Sequence, residues 1–222
     1  MSCISIVSQF LYFRTLPEHE EIKKQLLPKI LEQKDVYKNN NMGMENAYTT
    51  YNNDPTTVHP VSNDTTFLLD EQIITPVVRQ SIKEAIDHMK RNNMLPLPCY
   101  KGYTISRSWY TRYAIGGKFQ SHSHGQDPVI IQGYVGQPAF SIIYILNDQN
   151  DKNSTFFESH DRNYLPRTSS IQIDTANIHD IKEGTVIVFP STFLHGVTSI
   201  KVPNRVTISY NVYGIMDPGL AE

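Results

Sequence analysis

The sequence predicts a mainly β protein, a sandwich or barrel with N-terminal helices packed on one sheet. Three observations carry that expectation. Between residues 101 and 215, short runs rich in Val, Ile, Thr, Tyr and Phe alternate with turn residues at fairly even spacing. The last of these runs alternates Arg205, Thr207, Ser209 and Asn211 with Val206, Ile208, Tyr210 and Val212, so one face is polar and the other apolar. Two stretches before residue 100 carry apolar residues at helical spacing and need a sheet to pack on. The expected organisation is a single domain over 1–222, with 1–100 as an N-terminal strand and helical support region and 101–215 as the β core. A chain of 222 residues can bury such a core without disulfide or metal staples.

In chain order, residues 3–13 are apolar and read as a strand. No basic residue precedes Arg14, and the run is far short of the roughly 20 apolar residues of a membrane span. Thr15, Pro17 and Glu18 read as a helix start, followed by Ile22, Leu26 and Ile30 on one face and a kink at Pro28. Residues 38–66 are Asn-rich, with Pro55 and Pro60, and read as an irregular excursion. A second helix is expected at about 69–93, with Val78, Ile82, Ala85 and Met89 on one face and Pro96 and Pro98 ending it.

Tyr103–Ala114 then reads as a strand, Gly116-Gly117 as a turn or bulge, and Ala139–Leu146 as a strand covered on both sides. A polar loop at 147–153 precedes short strands at 155–157, 169–173 and 185–189. A hairpin is expected last, Leu194–Ile200 and Arg205–Tyr213 around a turn at Pro203-Asn204. Gly125–Gln137 interrupts the strands and reads either as a lid or homodimer contact or as a packed surface loop. The final strand is open to two readings: polar face in solvent, or polar face lining a cavity with the helices covering the apolar face.

Composition narrows the function classes. The formal net charge is −2 and the pI near 6.4, so there is no long-range field for nucleic acid or an anionic membrane. Cys3 and Cys99 are unpatterned, which argues against a disulfide framework or zinc cluster and for a reduced, cytoplasmic setting.

The chemistry concentrates in Tyr113–His124, His195 and Arg205. His122 and His124 are two apart and share a face of a strand, and His195 follows a buried strand and a Pro-Ser turn, with Gly196 allowing close approach. Three imidazoles so placed suit iron in three cis positions, with three more open. A dicarboxylate chelating that metal needs a planar cation at its far end, which Arg205 supplies, and Thr207 on the same face can donate to the same carboxylate. Asp127, in the following loop, is an alternative ligand to His124, and a two-histidine site using neither is the third option. His19, His59, His88, His160 and His179 are read as non-ligands.

The ordered set Tyr113-x-x-Gly116-x-x-Phe119-x-x-His122-x-His124, Ser141–Asn147, Ser154–Phe157, Gly184–Pro190, His195 and Arg205-x-Thr207 resembles the iron(II)- and 2-oxoglutarate-dependent dioxygenases. The likeness is to the branch near prolyl 4-hydroxylases and their phage and bacterial relatives. It implies a double-stranded β-helix (jelly roll), Fe(II), 2-oxoglutarate and O2 as cofactors, and hydroxylation with release of succinate and CO2. It also implies that Tyr113 reaches the cosubstrate. The family's usual second ligand is Asp or Glu where this chain has His124, so a three-histidine site would lack one negative charge. The resemblance leaves the substrate open among a prolyl or other peptide side chain, a nucleobase and a small metabolite, and a small molecule or peptide is expected. Two other classes share the barrel: a cupin-like metal-binding isomerase or binding module, which needs no Arg205, and a structural jelly roll with incidental histidines.

Overall fold

The computed structural model describes residues 10–32, 43–49, 73–92, 100–124, 128–131, 133–148, 155–159 and 171–216. Their elements in order are β1 (Tyr12–Thr15), α1 (His19–Glu32), β2 (Met44–Thr49), α2 (Thr75–Arg91), β3 (Gly102–His122), β4 (Val129–Ile131) and β5 (Tyr134–Asn147). There follow β6 (Thr155–Ser159), β7 (Ile171–Asp174), β8 (Thr185–Pro190), β9 (Leu194–Val197) and β10 (Arg205–Ile215). The strands join in the order β1-β8-β5-β10-β3-β9-β6-β7, with β2 also on β3 and β4 on β5, and every pairing is antiparallel. This curled sheet is a jelly roll, as the sequence pattern and the family resemblance lead one to expect.

Strand β10 decides which side is inside. Val206, Ile208, Tyr210 and Val212 pack with Ile22, Leu26 and Ile30 of α1 and Val78, Ile82, Ala85 and Met89 of α2. The helices therefore cover the apolar face from outside. Each of these large side chains gains about 1.5–3 kcal/mol by leaving water, so a charge at Ile208 would separate helices from sheet. The other face carries Arg205, Thr207, Ser209 and Asn211, all buried. The helices thus cover the apolar face, as the second reading of the final strand has it, and the polar face turns inward. The far part of the interior is filled by a second apolar group, Ile143, Ile145, Phe157, Ile187, Phe189 and Phe193.

Strand β3 serves both halves of the roll. Residues 102–113 pair with β10, and Phe119 and His122 pair with β9. The bend between them falls at Gly116, whose φ of +78° lies in the left-handed region that favours glycine. Ile200 brackets this bend, accepting from the Gly116 N–H and donating to the Gly117 carbonyl. That clamp corrects one expectation: β9 and β10 do not form a hairpin with each other. The connection between them is tied to the bend of β3, so β9 joins β6 on one side and β10 enters between β3 and β5 on the other.

Other expectations shift locally. Thr15 does not cap α1, because its backbone pairs with Thr185 in the sheet, and the helix starts only at His19. Pro28 sits inside α1. The stretch 38–66 contains a strand, β2, which lines the outer edge of β3, while 50–66 lie outside the described residues. So do Cys3, Cys99, Pro96, Pro98, Asp127, His59 and His160. Among the described residues no helix is long and apolar enough to cross a membrane.

Candidate functional site

Three imidazoles meet where β3 and β9 run side by side. His122 on β3 is the register partner of His195 on β9, which is what brings residues 73 positions apart together. His124 lies beyond the end of β3 but is pinned there, its N–H donating to the Ser191 carbonyl at 2.8 Å. Ring centroids are 4.4 Å apart for His122 and His195, 4.9 Å for His124 and His195, and 5.2 Å for His122 and His124. One ring nitrogen from each lies within 4.8 Å of the other two. Gly196 makes the approach of the strands feasible, since a Cβ there would stand 2.4 Å from the Phe156 ring and 2.7 Å from the Phe119 carbonyl.

The second nitrogen of each ring is already engaged. His122 Nδ1 donates to the Gln120 carbonyl at 2.9 Å and His195 Nδ1 to the Phe193 carbonyl at 3.0 Å. A proton on Nδ1 leaves the Nε2 lone pair free, the tautomer a metal ligand needs. His124 Nδ1 lies 2.9 Å from the Ser141 hydroxyl. Burial lowers the pKa of His122; burial and the neighbouring His122 bring His124 down to about 4; burial and both neighbours hold His195 well below the usual range. The cluster is therefore neutral at pH 7, ready to coordinate without first losing protons. Phe119 stacks on His122 at 3.9 Å, Phe189 stands edge-on to His195 at 4.7 Å, and Trp109 lies 5.5 Å from His124.

Arg205 opens β10 and is wholly buried. Its register partner is Tyr113, whose ring lies 5.5 Å from the guanidinium carbon, and Thr207 faces Thr111 in the same way. Burial pushes the Tyr113 phenol up, against the opposing influence of Arg205 and of hydrogen bonding with Thr207 and Thr111. Arg205 Nη2 donates to Thr155 Oγ1 at 2.9 Å, and Nε faces Asp148 Oδ2 at 3.5 Å. Nη1 is buried and has no hydrogen-bond partner among the described residues. A buried cationic donor left unpaired costs roughly 1–3 kcal/mol or more, and an anion placed there would remove that cost.

Strand β6 links the two groups. Thr155 receives Arg205, and Phe157, two residues on, pairs with His195. A two-residue step along a strand is about 7 Å, close to the length of a five-carbon dicarboxylate. The structure thus brings His122, His124 and His195 together at one end and Tyr113, Arg205 and Thr207 at the other. Asp127 lies outside the described residues.

Sequence reasoning overlooked Asp148, Trp109 and the partners of His124. Ser141 was visible only as a motif position. Asp148 read as the second residue of a polar loop, and no local signal separates it from Asp151 nearby. His19, expected to be an ordinary helix-face residue, is buried and held between Tyr144 and Glu183.

Comparison with known proteins agrees with the geometry. Residues 107–211 match the family described as "Putative 2OG-Fe(II) oxygenase". No curated protein matches the chain in sequence. Among solved structures, OsALKBH1 has a TM-score of 0.56 at 13% identity, over 92% of this chain and 97% of its own. The viral collagen prolyl hydroxylase of Paramecium Bursaria Chlorella virus-1 has a TM-score of 0.47 at 12% identity, over 91% and 96%. A 2OG-Fe(II) oxygenase family oxidoreductase from Burkholderia pseudomallei has a TM-score of 0.37 at 16% identity, and the match spans 55% of this chain and 49% of that one. The matched segment runs from β3 to β10, so it is the jelly-roll core that carries the likeness to the 2OG-Fe(II) oxygenases.

Proposed function

We propose that the protein hydroxylates a small molecule or a peptide side chain, with Fe(II) held by His122, His124 and His195 and 2-oxoglutarate anchored by Arg205. The observation that carries this reading is the buried Arg205 Nη1, without a hydrogen-bond partner among the described residues, in the same buried face of the sheet that β6 connects to the imidazole cluster. A structural jelly roll has no use for that arrangement, and a cupin-like isomerase needs the imidazoles alone.

Bound Fe(II) with 2-oxoglutarate supplies O2 activation coupled to decarboxylation, giving succinate and CO2 and placing one oxygen atom on the substrate. The chain's own residues do the positioning. The Gln120 and Phe193 carbonyls hold the His122 and His195 rings with Nε2 inward. Arg205 takes the distal carboxylate through Nη1 and the remaining proton of Nη2, while Thr155 and Asp148 occupy its other edge. Thr207 and the Tyr113 hydroxyl border the same carboxylate position. Phe157, Phe189 and Phe193 keep water from that flank. Trp109, Ser141 and Asn211 surround His124 and face the side left for substrate. Two unpatterned cysteines suit a cytoplasmic setting, and the β4–β5 hairpin, with Ile130 and Tyr134 exposed, suits a substrate lid or a dimer contact.

The test is thermal unfolding with Mn(II), with and without 2-oxoglutarate, followed by succinate formation with Fe(II) in air. A ligand at 100 times its dissociation constant adds about 2.7 kcal/mol of stability. Sequential stabilisation by metal and then by 2-oxoglutarate is expected. Stabilisation by metal alone would instead favour the isomerase or binding-module reading, and no response the structural one.

A further inference from the structure

The neighbour of Arg205 needs an explanation. Asp148 follows directly on β5, its side chain is 3% exposed, and its Oδ2 lies 3.5 Å from Arg205 Nε. An arginine meant to receive a carboxylate gains nothing from a second carboxylate already beside it. Burying Asp148 also carries its own desolvation cost. Yet the structure holds it there from outside the barrel. The Asp148 N–H donates to Glu183 Oε2 at 2.6 Å, and Glu183 Oε1 is paired with Lys23 and with His19 of α1. Asn147, one residue earlier, donates to the Asn204 carbonyl at 2.5 Å and so fixes the backbone just before Arg205.

Counting charges accounts for it. In a site with two histidines and one carboxylate, the ferrous dication, the cosubstrate dianion, the ligand carboxylate and the arginine sum to zero. Here the carboxylate position is His124, a neutral imidazole, and the same sum without Asp148 leaves one positive charge in a buried cavity. With Asp148 included it returns to zero.

We propose that Asp148 is the compensating carboxylate of this site, supplying beside Arg205 the negative charge that a three-imidazole metal shell lacks. It acts through Arg205 and the field of the cavity, and is a positioning residue. The inference rests on the proposed ligand set of His122, His124 and His195. It also gives Glu183, whose Oε2 takes the Asp148 N–H, a role in holding the Asp148 backbone.

The account makes a prediction of opposite signs. A negative charge near the cavity favours the metal cation and opposes the cosubstrate anion. Asp148→Asn keeps a hydrogen-bond acceptor for Arg205 and removes the charge. Mn(II) titrated alone should bind roughly tenfold more weakly, and 2-oxoglutarate titrated into the Mn(II)-loaded protein roughly tenfold more tightly, the scale of one unit charge about 10 Å away at a protein-like dielectric. By the same account, His124→Asp, which leaves Asp148 undisturbed, should weaken 2-oxoglutarate binding by a similar factor, and His124→Asp/Asp148→Asn should restore it. Equilibrium titrations, with circular dichroism to confirm folding, read all of this without turnover. Both affinities falling together in Asp148→Asn, or neither moving, overturns the inference and makes Asp148 structural. If Asp148→Asn does not fold, an unchanged 2-oxoglutarate affinity in His124→Asp overturns it alone. Wild-type protein that binds no Mn(II) overturns the ligand set and this inference with it.

Discussion

Among the described residues, two groups of side chains bring potential metal ligands within 4.8 Å of one another: His122, His124 and His195 inside the roll, and His19, Glu20 and Glu183 where α1 meets the start of β8. Proximity alone does not tell them apart, but the use made of each atom does. In the second group His19 Nδ1 meets the Tyr144 hydroxyl at 2.7 Å, Nε2 meets Glu183 at 3.2 Å, and the Lys23 ammonium sits on the same carboxylate oxygen. A cation entering there would displace an ammonium already in place. In the first group Nδ1 of His122 and of His195 is held by a backbone carbonyl, His124 Nδ1 lies beside the Ser141 hydroxyl, and no Lys or Arg contributes to the lowered pKa of any of the three. A metal site is marked less by the density of histidines than by lone pairs left unused.

The sharpest way to break that comparison is to delete a ligand from each group. His195→Ala or His122→Ala should abolish Mn(II) binding, a loss beyond the roughly 10–100-fold that follows from removing an outer partner of a ligand. His19→Ala should leave the metal titration unchanged. Stoichiometric metal retained in His195→Ala would put the inner group on the same footing as the outer one. Next in size is Arg205→Ala. Charge-assisted hydrogen bonds are worth roughly 1.5–3 kcal/mol, so the 2-oxoglutarate requirement should rise roughly 10–150-fold while metal affinity does not fall. A joint loss of both affinities would make Arg205 structural.

His124 refines the inner group. His124→Ala should weaken metal binding, whereas His124→Asp keeps a ligand and should retain it, and Asp127→Ala should have little effect. If only Asp127→Ala loses metal, the loop carboxylate is the ligand. In the outer group, His19→Phe removes a partner from buried Tyr144 and from Glu183, and chemical denaturation should show about 1–3 kcal/mol less stability with cofactor binding intact.

The smallest effect concerns acid. Burial raises the pKa of Glu183, but His19, the Asp148 N–H and Lys23 together outweigh it and hold the carboxyl down at about 2. A depressed carboxyl pKa stabilises the fold fully above the unfolded value of 4.5, and that contribution fades as pH falls from 4.5 towards 2. It amounts to at most about 3 kcal/mol. Glu183→Gln should flatten the acid limb of a stability–pH profile in that window, and an unaltered limb would show the ion pair to be inert.

Much of this was legible in the sequence because β10 alternates with a period of two and both its faces found partners. The polar set Arg205, Thr207, Ser209 and Asn211 reads as a cavity wall once two amphipathic helices are available to cover the other face. His122 and His195 were legible as candidate ligands from residue type and order. What was not legible depends on tertiary placement. Asp148 is one of two acidic residues in a polar stretch, and its tie to Glu183, far along the chain, is part of what holds it beside Arg205. Thr15 looked like a cap because local sequence carries no sign of its strand partner Thr185. The β9–β10 hairpin failed for the same reason, since Ile200 is captured by the bend of β3.

The place of β10 also bears on how the protein is made. It lies between β3 and β5, which pair with each other nowhere among the described residues, yet it is the last of the ten described strands to leave the ribosome. Until it arrives, β3 and β5 each present an open edge, and the apolar faces of α1 and α2 lack four of their buried partners, Val206, Ile208, Tyr210 and Val212. Pairings of such long sequence separation also form slowly. During synthesis the chain therefore passes through a stage in which the three clustered histidines, His122, His124 and His195, have been translated but all of β10, Arg205 included, has not. Nascent chains stalled before residue 205 are the form most exposed to aggregation and the one with most to gain from a chaperone.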